Sequence, residues 1–122
     1  MESSLTIEKV LVLRLKADIY RYLCEFTDGY YNKECRETAL TIYQQASGES
    51  CRLSPATPLV MKVALSHSIF YYEVLNSIEF AMRLLGEAMF EAKEEYAGYK
   101  RQASEEDIKD YHETHKTIEI NL

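Results

Sequence analysis

The residues of this chain whose types and spacing could do chemistry are basic side chains near its N-terminus. Arg14, Asp18 and Arg21 follow one another at intervals of four and three residues, which in an α-helix places them in one stripe on one face. A guanidinium binds two phosphate oxygens at once, and the neighbouring Tyr22 hydroxyl can add one donor, so the stripe predicts an anion site. The same spacing is also typical of ordinary ion pairs on an exposed helix face, and spacing alone leaves both interpretations open.

Two histidine segments have the residue types of a reactive site without its spacing. His112 and His115 fall on one helical face, but the HExxH spacing and a third ligand are missing, which favours surface histidines over a metal site. Ser66, His67 and Ser68 are consecutive, and consecutive helix residues point about 100° apart, so they imply no nucleophile and base. His67 falls on an apolar face, where we expect a hydrogen-bonded core histidine. We therefore predict no enzyme activity, no metal and no cofactor.

Composition and charge restrict the class of protein further. The 122 residues are 47% hydrophobic and 28% charged, which is typical of one globular domain. The net charge of −6 disfavours binding to nucleic acid or to an anionic membrane surface, because both would repel the protein. No stretch approaches the ~20 apolar residues that cross a bilayer. Three cysteines without CxxC spacing indicate reduced thiols, and we expect a cytoplasmic protein.

Apolar periodicity and a few turn residues divide the chain into five helices without strand signals. We predict helices over about residues 5–26, 32–47, 58–75, 78–99 and from 105 onward. The start signals are Asn32, Thr57-Pro58, Ser77 and Ser104. We expect the first helix to bury the stripe of Val12, Leu15, Ile19, Leu23 and Phe26. The third is apolar almost all round, which indicates a helix that lies between neighbours or lines a groove.

Four sequence motifs, in this order, resemble those of the 14-3-3 family. They are DxYRYL at 18–23, YQxA at 43–46, PxxP at 55–58 and ALxxSIFYYEVLNS at 64–77. The resemblance is clear over about residues 5–100, roughly the second half of a family member, and weak over the divergent last helix at 101–122. It implies an all-α antiparallel array of about five helices, half of a 14-3-3-like, tetratricopeptide-like superhelix, with residues 1–122 forming one partial domain.

The resemblance also implies a function and a set of contact residues. It implies an adaptor without catalysis or cofactor that binds phosphoserine or phosphothreonine segments of partner proteins. Carried over position by position, the implied phosphopeptide contacts are Arg14, Lys16, Arg21, Tyr22, Leu65, Ser66, Ile69, Glu73 and Asn121. Ser66 stands where the family has an asparagine that bonds the peptide backbone, and its shorter hydroxyl should reach less far. His67 replaces a phenylalanine.

The first four helices of the family have no counterpart before residue 5, and in the family they carry the dimer interface and two further basic phosphate ligands. The resemblance therefore implies weakened phosphate binding. It also implies an exposed apolar flank that favours self-association or docking of a helical partner. The alternative function is a helical module that binds partners whether or not they are phosphorylated.

Overall fold

The computed structural model describes the backbone of residues 4–121 and the side chains of residues 4–120. Five α-helices make up this part of the chain: α1 (Ser4–Leu23), α2 (Gly29–Ser50), α3 (Pro58–Glu73), α4 (Ile78–Gln102) and α5 (Glu105–Asn121). The predicted all-α class is confirmed, and residues 4–121 contain no strand. None of these helices combines the length and the apolar character needed to cross a membrane.

Helix α3 lies at the centre of the array and contacts α1, α2, α4 and α5. On one side its Phe70 packs into a core cluster with Ala17, Ala39, Ile42 and Tyr43 of α1 and α2. On the other side its Met61 packs with residues of α4 and α5, which include Leu85, Met89, Tyr111 and Ile118. The apolar pattern of α3, nearly uniform around the helix, is therefore explained by neighbours on several sides.

The start of α5 follows the predicted capping chemistry, whereas Thr57 and Ser77 occupy the N-cap positions of α3 and α4 without a side-chain capping hydrogen bond. Pro58 occupies the first turn of α3, and the Ser104 hydroxyl accepts a hydrogen bond from the Asp107 N–H at 3.1 Å. At the C-terminal end of α3, Asn76 has φ of 53°, and the Ser77 N–H donates to the Tyr71 carbonyl at 2.8 Å. This is the geometry of a helix stop with a left-handed residue, a position that asparagine tolerates better than most. It turns the chain directly into α4.

The predicted boundaries of α2 were wrong at both ends. The helix begins at Gly29, after Asp28 at the N-cap position, rather than at Asn32. The Asn32 side-chain amide instead donates to the carbonyls of Cys24 and Thr27 at 2.9 and 3.3 Å, which holds the turn between α1 and α2. At the other end the helix continues through Gly48 to Ser50. A glycine inside a helix costs only about 1 kcal/mol, so Gly48 does not have to end the helix.

The predicted core stripe of α1 was also wrong. All five residues of that stripe are exposed, and the helix ends at Leu23, so Phe26 lies in the following turn. The buried residues of α1 are Val10 and Ala17. Helix α1 has two apolar arcs, and periodicity does not show which of them meets the neighbouring helices. We call the exposed apolar surface of α1 and of the turn that follows it the outer face of α1, which consists of Leu11, Val12, Leu15, Ile19, Leu23 and Phe26.

Candidate phosphate-binding site

Helices α1 and α3 lie side by side and are joined by two polar contacts. The Arg14 Nε donates to the Ser66 hydroxyl at 3.1 Å, and an Arg21 terminal nitrogen lies 3.5 Å from a Glu73 carboxylate oxygen. The partners are seven residues apart on each helix, which is about 10 Å along a helix axis. Both contacts advance in the same chain direction, so α1 and α3 run parallel, as alternate helices of an antiparallel array must. The structure thus brings together four of the predicted contact residues.

The guanidinium of Arg21 is the most constrained group of this site. Its Nε donates to the Tyr43 hydroxyl at 3.1 Å, and a terminal nitrogen lies 3.7 Å from an Asp18 carboxylate oxygen. The Tyr43 hydroxyl in turn donates to Asp18. Burial alone would lower the pKa of Arg21, but Tyr43, Asp18 and Glu73 together raise the pKa above its ordinary value. Arg21 is therefore a fixed cation whose guanidinium is held in place by Tyr43 of α2 and Glu73 of α3.

Replacing Tyr43 by phenylalanine is expected to lower the free energy of unfolding by about 1–3 kcal/mol, because Asp18 and Arg21 both lose a hydrogen bond to a charged group. Urea unfolding followed by circular dichroism would measure this. The matched control is Tyr31→Phe at an exposed tyrosine of the same helix, for which we expect no change. Equal stabilities of the two variants would show that the Tyr43 hydroxyl does not hold the site together.

The charges in the site nearly cancel. Arg14 lies 3.9 Å from Asp18, so two guanidinia face the carboxylates of Asp18 and Glu73. Lys16 does not join them, since it is exposed and lies about 160° around the helix from Arg14. A bound phosphate would therefore compete with protein carboxylates for the same donors.

Two other predicted contact residues are not brought to this cluster. Tyr22 is 62% exposed, and its side chain leaves α1 about 100° away from that of its neighbour Arg21. Its role as a phosphate donor stays a prediction. Asn121 is the last residue of α5, and its side chain lies outside the part of the chain that the structure describes.

A cleft between α3 and α4 continues the site away from α1. It has a volume of about 510 Å³ and is lined by Leu65, Ser68, Ile69, Tyr72, Glu73, Ala81, Met82 and Leu85. Glu73 belongs to this wall and also pairs with Arg21, so the polar site and the apolar cleft meet at its side chain. An extended segment with a phosphate at Arg21 could place an apolar side chain in the cleft.

Sequence reasoning found Leu65, Ile69 and Glu73 of this wall but missed its α4 side. Met82 of α4 lines the cleft and is half-exposed although apolar. Tyr43 was missed as the support of Arg21 because its position in the YQxA motif carried no chemical signal. Tyr43 is distinguished by its burial beside charged side chains, and only the tertiary structure shows that position.

The histidines have separate local partners. The Nδ1 of His67 lies 3.2 Å from the Ser47 hydroxyl in the core, as expected for a hydrogen-bonded core histidine. Nε2 of His112 lies 3.0 Å from the Tyr96 hydroxyl, whereas Nδ1 of His115 lies 2.7 Å from Glu119. Over the described residues, histidine, cysteine and carboxylate side chains form no group of three that could hold a metal ion.

The chain matches one protein family along nearly its whole length. The 14-3-3 protein family model matches residues 2–122. A 14-3-3-like protein of Spinacia oleracea is 42% identical over 85 residues, 69% of this chain and 39% of that protein. The 14-3-3 protein 3 of Solanum lycopersicum is 44% identical over 85 residues, 69% of this chain and 33% of that protein. The 14-3-3 protein 2 of Entamoeba histolytica is 38% identical over 93 residues, 75% of this chain and 39% of that protein.

These matched segments make up 33% to 39% of the relatives' own lengths, so the chain spans only about a third of each relative. The match to the family model covers residues 2–122 of this chain, a range that includes α5. Together the family model and the identities show that this chain belongs to the 14-3-3 family.

Proposed function

We propose that this chain is a non-enzymatic adaptor that binds phosphoserine or phosphothreonine segments of other proteins between α1 and α3. Family membership supports a phosphopeptide-binding adaptor at the level of the family. The observation that carries the proposal for this chain is the pair of guanidinia, Arg14 and Arg21, held about 10 Å apart on one face of α1 beside Ser66 and Glu73.

In this proposal Arg21 is the main phosphate ligand and Arg14 is the second. Arg21 is fixed by Tyr43 and Asp18, so little side-chain freedom is lost when it binds an anion. Arg14 already donates a hydrogen bond to the Ser66 hydroxyl. A bound peptide backbone would have to share the Arg14 guanidinium with this hydroxyl or replace the hydroxyl as its acceptor. Leu65 and Ile69 would contact apolar side chains of the bound segment in the cleft. Lys16, Tyr22 and Asn121 remain predicted contacts at the margins.

The carboxylates of the site support weak binding in this proposal. A phosphate at Arg21 would approach Glu73 and Asp18, which pair with the same guanidinium at 3.5 and 3.7 Å. Like charges at these distances oppose each other, and each guanidinium is shared rather than free. We therefore expect a phosphopeptide to bind more weakly than to a site of four unpaired basic groups.

The test measures the affinity of a short fluorescent peptide with one phosphoserine, and of the same peptide unphosphorylated. We expect the wild type to bind the phosphorylated peptide more tightly than the unphosphorylated one. Arg21→Gln should bind the phosphorylated peptide about 10- to 100-fold more weakly, which corresponds to the loss of one charge-assisted hydrogen bond. The matched control is Arg101→Gln, which removes an equal charge from the exposed end of α4 and should leave the affinity unchanged.

The Glu73→Gln variant is expected to bind the phosphopeptide more tightly than the wild type does. It removes a carboxylate that competes for Arg21 while keeping the shape of the side chain, so phosphopeptide affinity should rise severalfold. Equal wild-type affinity for the two peptides, or equal losses in Arg21→Gln and Arg101→Gln, would remove the claim that this site reads phosphate.

A second candidate function is phosphorylation-independent binding of a protein partner, either another copy or a helical protein. It is favoured by the outer face of α1, whose six apolar residues are 41–79% exposed. Phosphatase treatment of the partner separates the two functions, because only the phosphate-reading function would be lost. A cytoplasmic location belongs to the proposal as well and is supported by Cys24, Cys35 and Cys51, all free thiols.

A further inference from the structure

Helices α1 and α2 pack side by side in one antiparallel register. Val10 of α1 belongs to the same core cluster as Ala46 of α2, and seven residues later Ala17 belongs to the same cluster as Ala39. An advance of seven residues along α1, about two turns, is therefore matched by a return of seven residues along α2. This register predicts which side chains meet near the turn that joins the two helices.

The next step in this register brings Cys24 to the beginning of α2. Cys24 directly follows α1 and extends its hydrogen bonding, because its N–H donates to the Tyr20 carbonyl at 3.1 Å. Its own carbonyl accepts a hydrogen bond from the Asn32 side-chain amide at 2.9 Å, as the register requires. Cys35 comes three residues after Asn32 and four before Ala39, so it lies on the face of α2 that meets α1. The two cysteines thus face each other across the contact between the helices.

The two thiols are neighbours that differ in their access to solvent. Cys24 is only 8% exposed, whereas Cys35 is half-buried. The pKa of the Cys24 thiol is raised by burial and by the charge of Cys35, while the guanidinium of Arg36 lowers it in part. Cys35 and Arg36 therefore lie near the sulfur of Cys24. Cys51, the third cysteine, is exposed and lies about 24 Å further along α2 than Cys35.

We propose that Cys24 and Cys35 are an oxidation site, at which a peroxide converts the two thiols into a reversible disulfide. Cys35 is the thiol that a peroxide reaches. Its sulfur attacks one peroxide oxygen, the O–O bond breaks, and a sulfenic acid forms as water leaves. The Cys24 thiol then attacks the sulfenic sulfur, the S–O bond breaks, and a second water leaves. The protons and electrons of two thiols thus reduce one hydrogen peroxide to two waters. The site stands on the helix register, independently of phosphate binding.

This disulfide closes the turn between α1 and α2 covalently. It joins residues eleven positions apart, and a loop of this size restricts the unfolded chain enough to lower the unfolding equilibrium constant about 100-fold. Urea unfolding of the oxidised and the reduced protein measures the change, and equal stabilities would contradict such a restraint. In a reducing compartment a bond of this kind is transient and responds to oxidants, so a dithiol reductant should restore both thiols.

Peptide mapping of the folded wild-type chain tests the pairing. The protein is treated with a small excess of hydrogen peroxide, the remaining thiols are alkylated, and linked peptides are identified by mass spectrometry. We expect the link between Cys24 and Cys35 as the main product, with Cys51 alkylated. In urea the three possible links should form in comparable amounts, so folding should raise the proportion of this link about 10-fold. A main product that contains Cys51, a link between two chains, or the absence of any link would overturn the proposal.

Substitutions test the order of the two steps. Cys24→Ala should leave Cys35 as a sulfenic acid that dimedone traps, because the second thiol is gone. Cys35→Ala should be labelled by dimedone about 10-fold more slowly, since the Cys24 thiol is buried and its pKa is raised. The matched control Cys51→Ser removes an exposed thiol and should form the link at the wild-type rate. Equal labelling of the two alanine variants would overturn the order of attack, and loss of the link in Cys51→Ser would overturn the pairing.

Discussion

Replacing Phe70 by alanine is expected to lower the free energy of unfolding by about 3–5 kcal/mol, the cost of a large cavity in a packed core. Phe70 is fully buried where α1, α2 and α3 meet, against Ala17, Ala39 and Tyr43. The ring packs against other buried side chains, among them Ile42 and Tyr43, which would lose these contacts and relax only in part into the space. Urea unfolding followed by circular dichroism measures the loss, and a domain of ordinary stability would retain only a small margin.

The matched control for Phe70→Ala is Tyr72→Ala, two residues along the same helix. Tyr72 is more than half exposed, so its truncation should cost under about 1 kcal/mol while the helix propensity changes in the same direction. Similar losses for both variants would mean that the ring of Phe70 is not the centre of this core.

The stability of the fold should fall by about 3 kcal/mol between pH 7 and pH 4 through His67 alone. Burial lowers the pKa of His67 from 6.5 to about 4. The unfolded chain therefore takes up a proton at this residue between these values while the folded chain does not. The contribution of neutral His67 to the free energy of unfolding is fully present above pH 6.5. It is lost as the pH falls towards 4, and it does not change further below that pH. The neutral ring lies between Tyr43 and Tyr71, and its Nε2 has no hydrogen-bond partner.

The measurement compares wild type with His67→Phe in urea at several pH values. The variant keeps an aromatic ring without a titrating group. Its free energy of unfolding, relative to that of the wild type, should therefore rise by about 3 kcal/mol from pH 7 to pH 4. Carboxylates titrate alike in both proteins, and their effects cancel in the difference. His112→Phe, at an exposed histidine, should follow the wild type instead. A constant difference between wild type and His67→Phe would contradict a proton-excluding pocket around His67.

The sequence predicted the number and class of the helices well because the strongest signals were local. Thr57-Pro58 and Ser104 mark helix starts through backbone chemistry that acts within one turn, and the structure places helix starts beside both. Asn32 shows the limit of such signals. It is a good capping residue by type, but its amide bonds the carbonyls of the preceding turn. A side chain with two possible backbone partners does not determine a boundary.

The core and the site were less predictable because they depend on which helix faces meet. Leu15 and Ile19 repeat at helical spacing, as core residues do, and yet they lie on the outer face of α1. Spacing alone left Arg14 and Arg21 open to two interpretations, an anion site or surface ion pairs, and it did not show that they reach Ser66 and Glu73 of α3. The predicted proximity of α1 and α3 came from the family resemblance. The network of Tyr43, Asp18 and Arg21 has no sequence signal, because its members are 25 residues or fewer apart on two helices whose packing must be known first.

The central position of α3 has a consequence for how this array comes apart. Every other helix covers part of α3, and its buried residues face neighbours on both sides. Detaching α1 with α2, or α4 with α5, would leave a broad apolar surface of α3 in water, at about 25 cal/mol for each Å² uncovered. Partial unfolding is therefore suppressed from either end, and the chain should lose its structure in a single all-or-none transition despite its open, layered architecture.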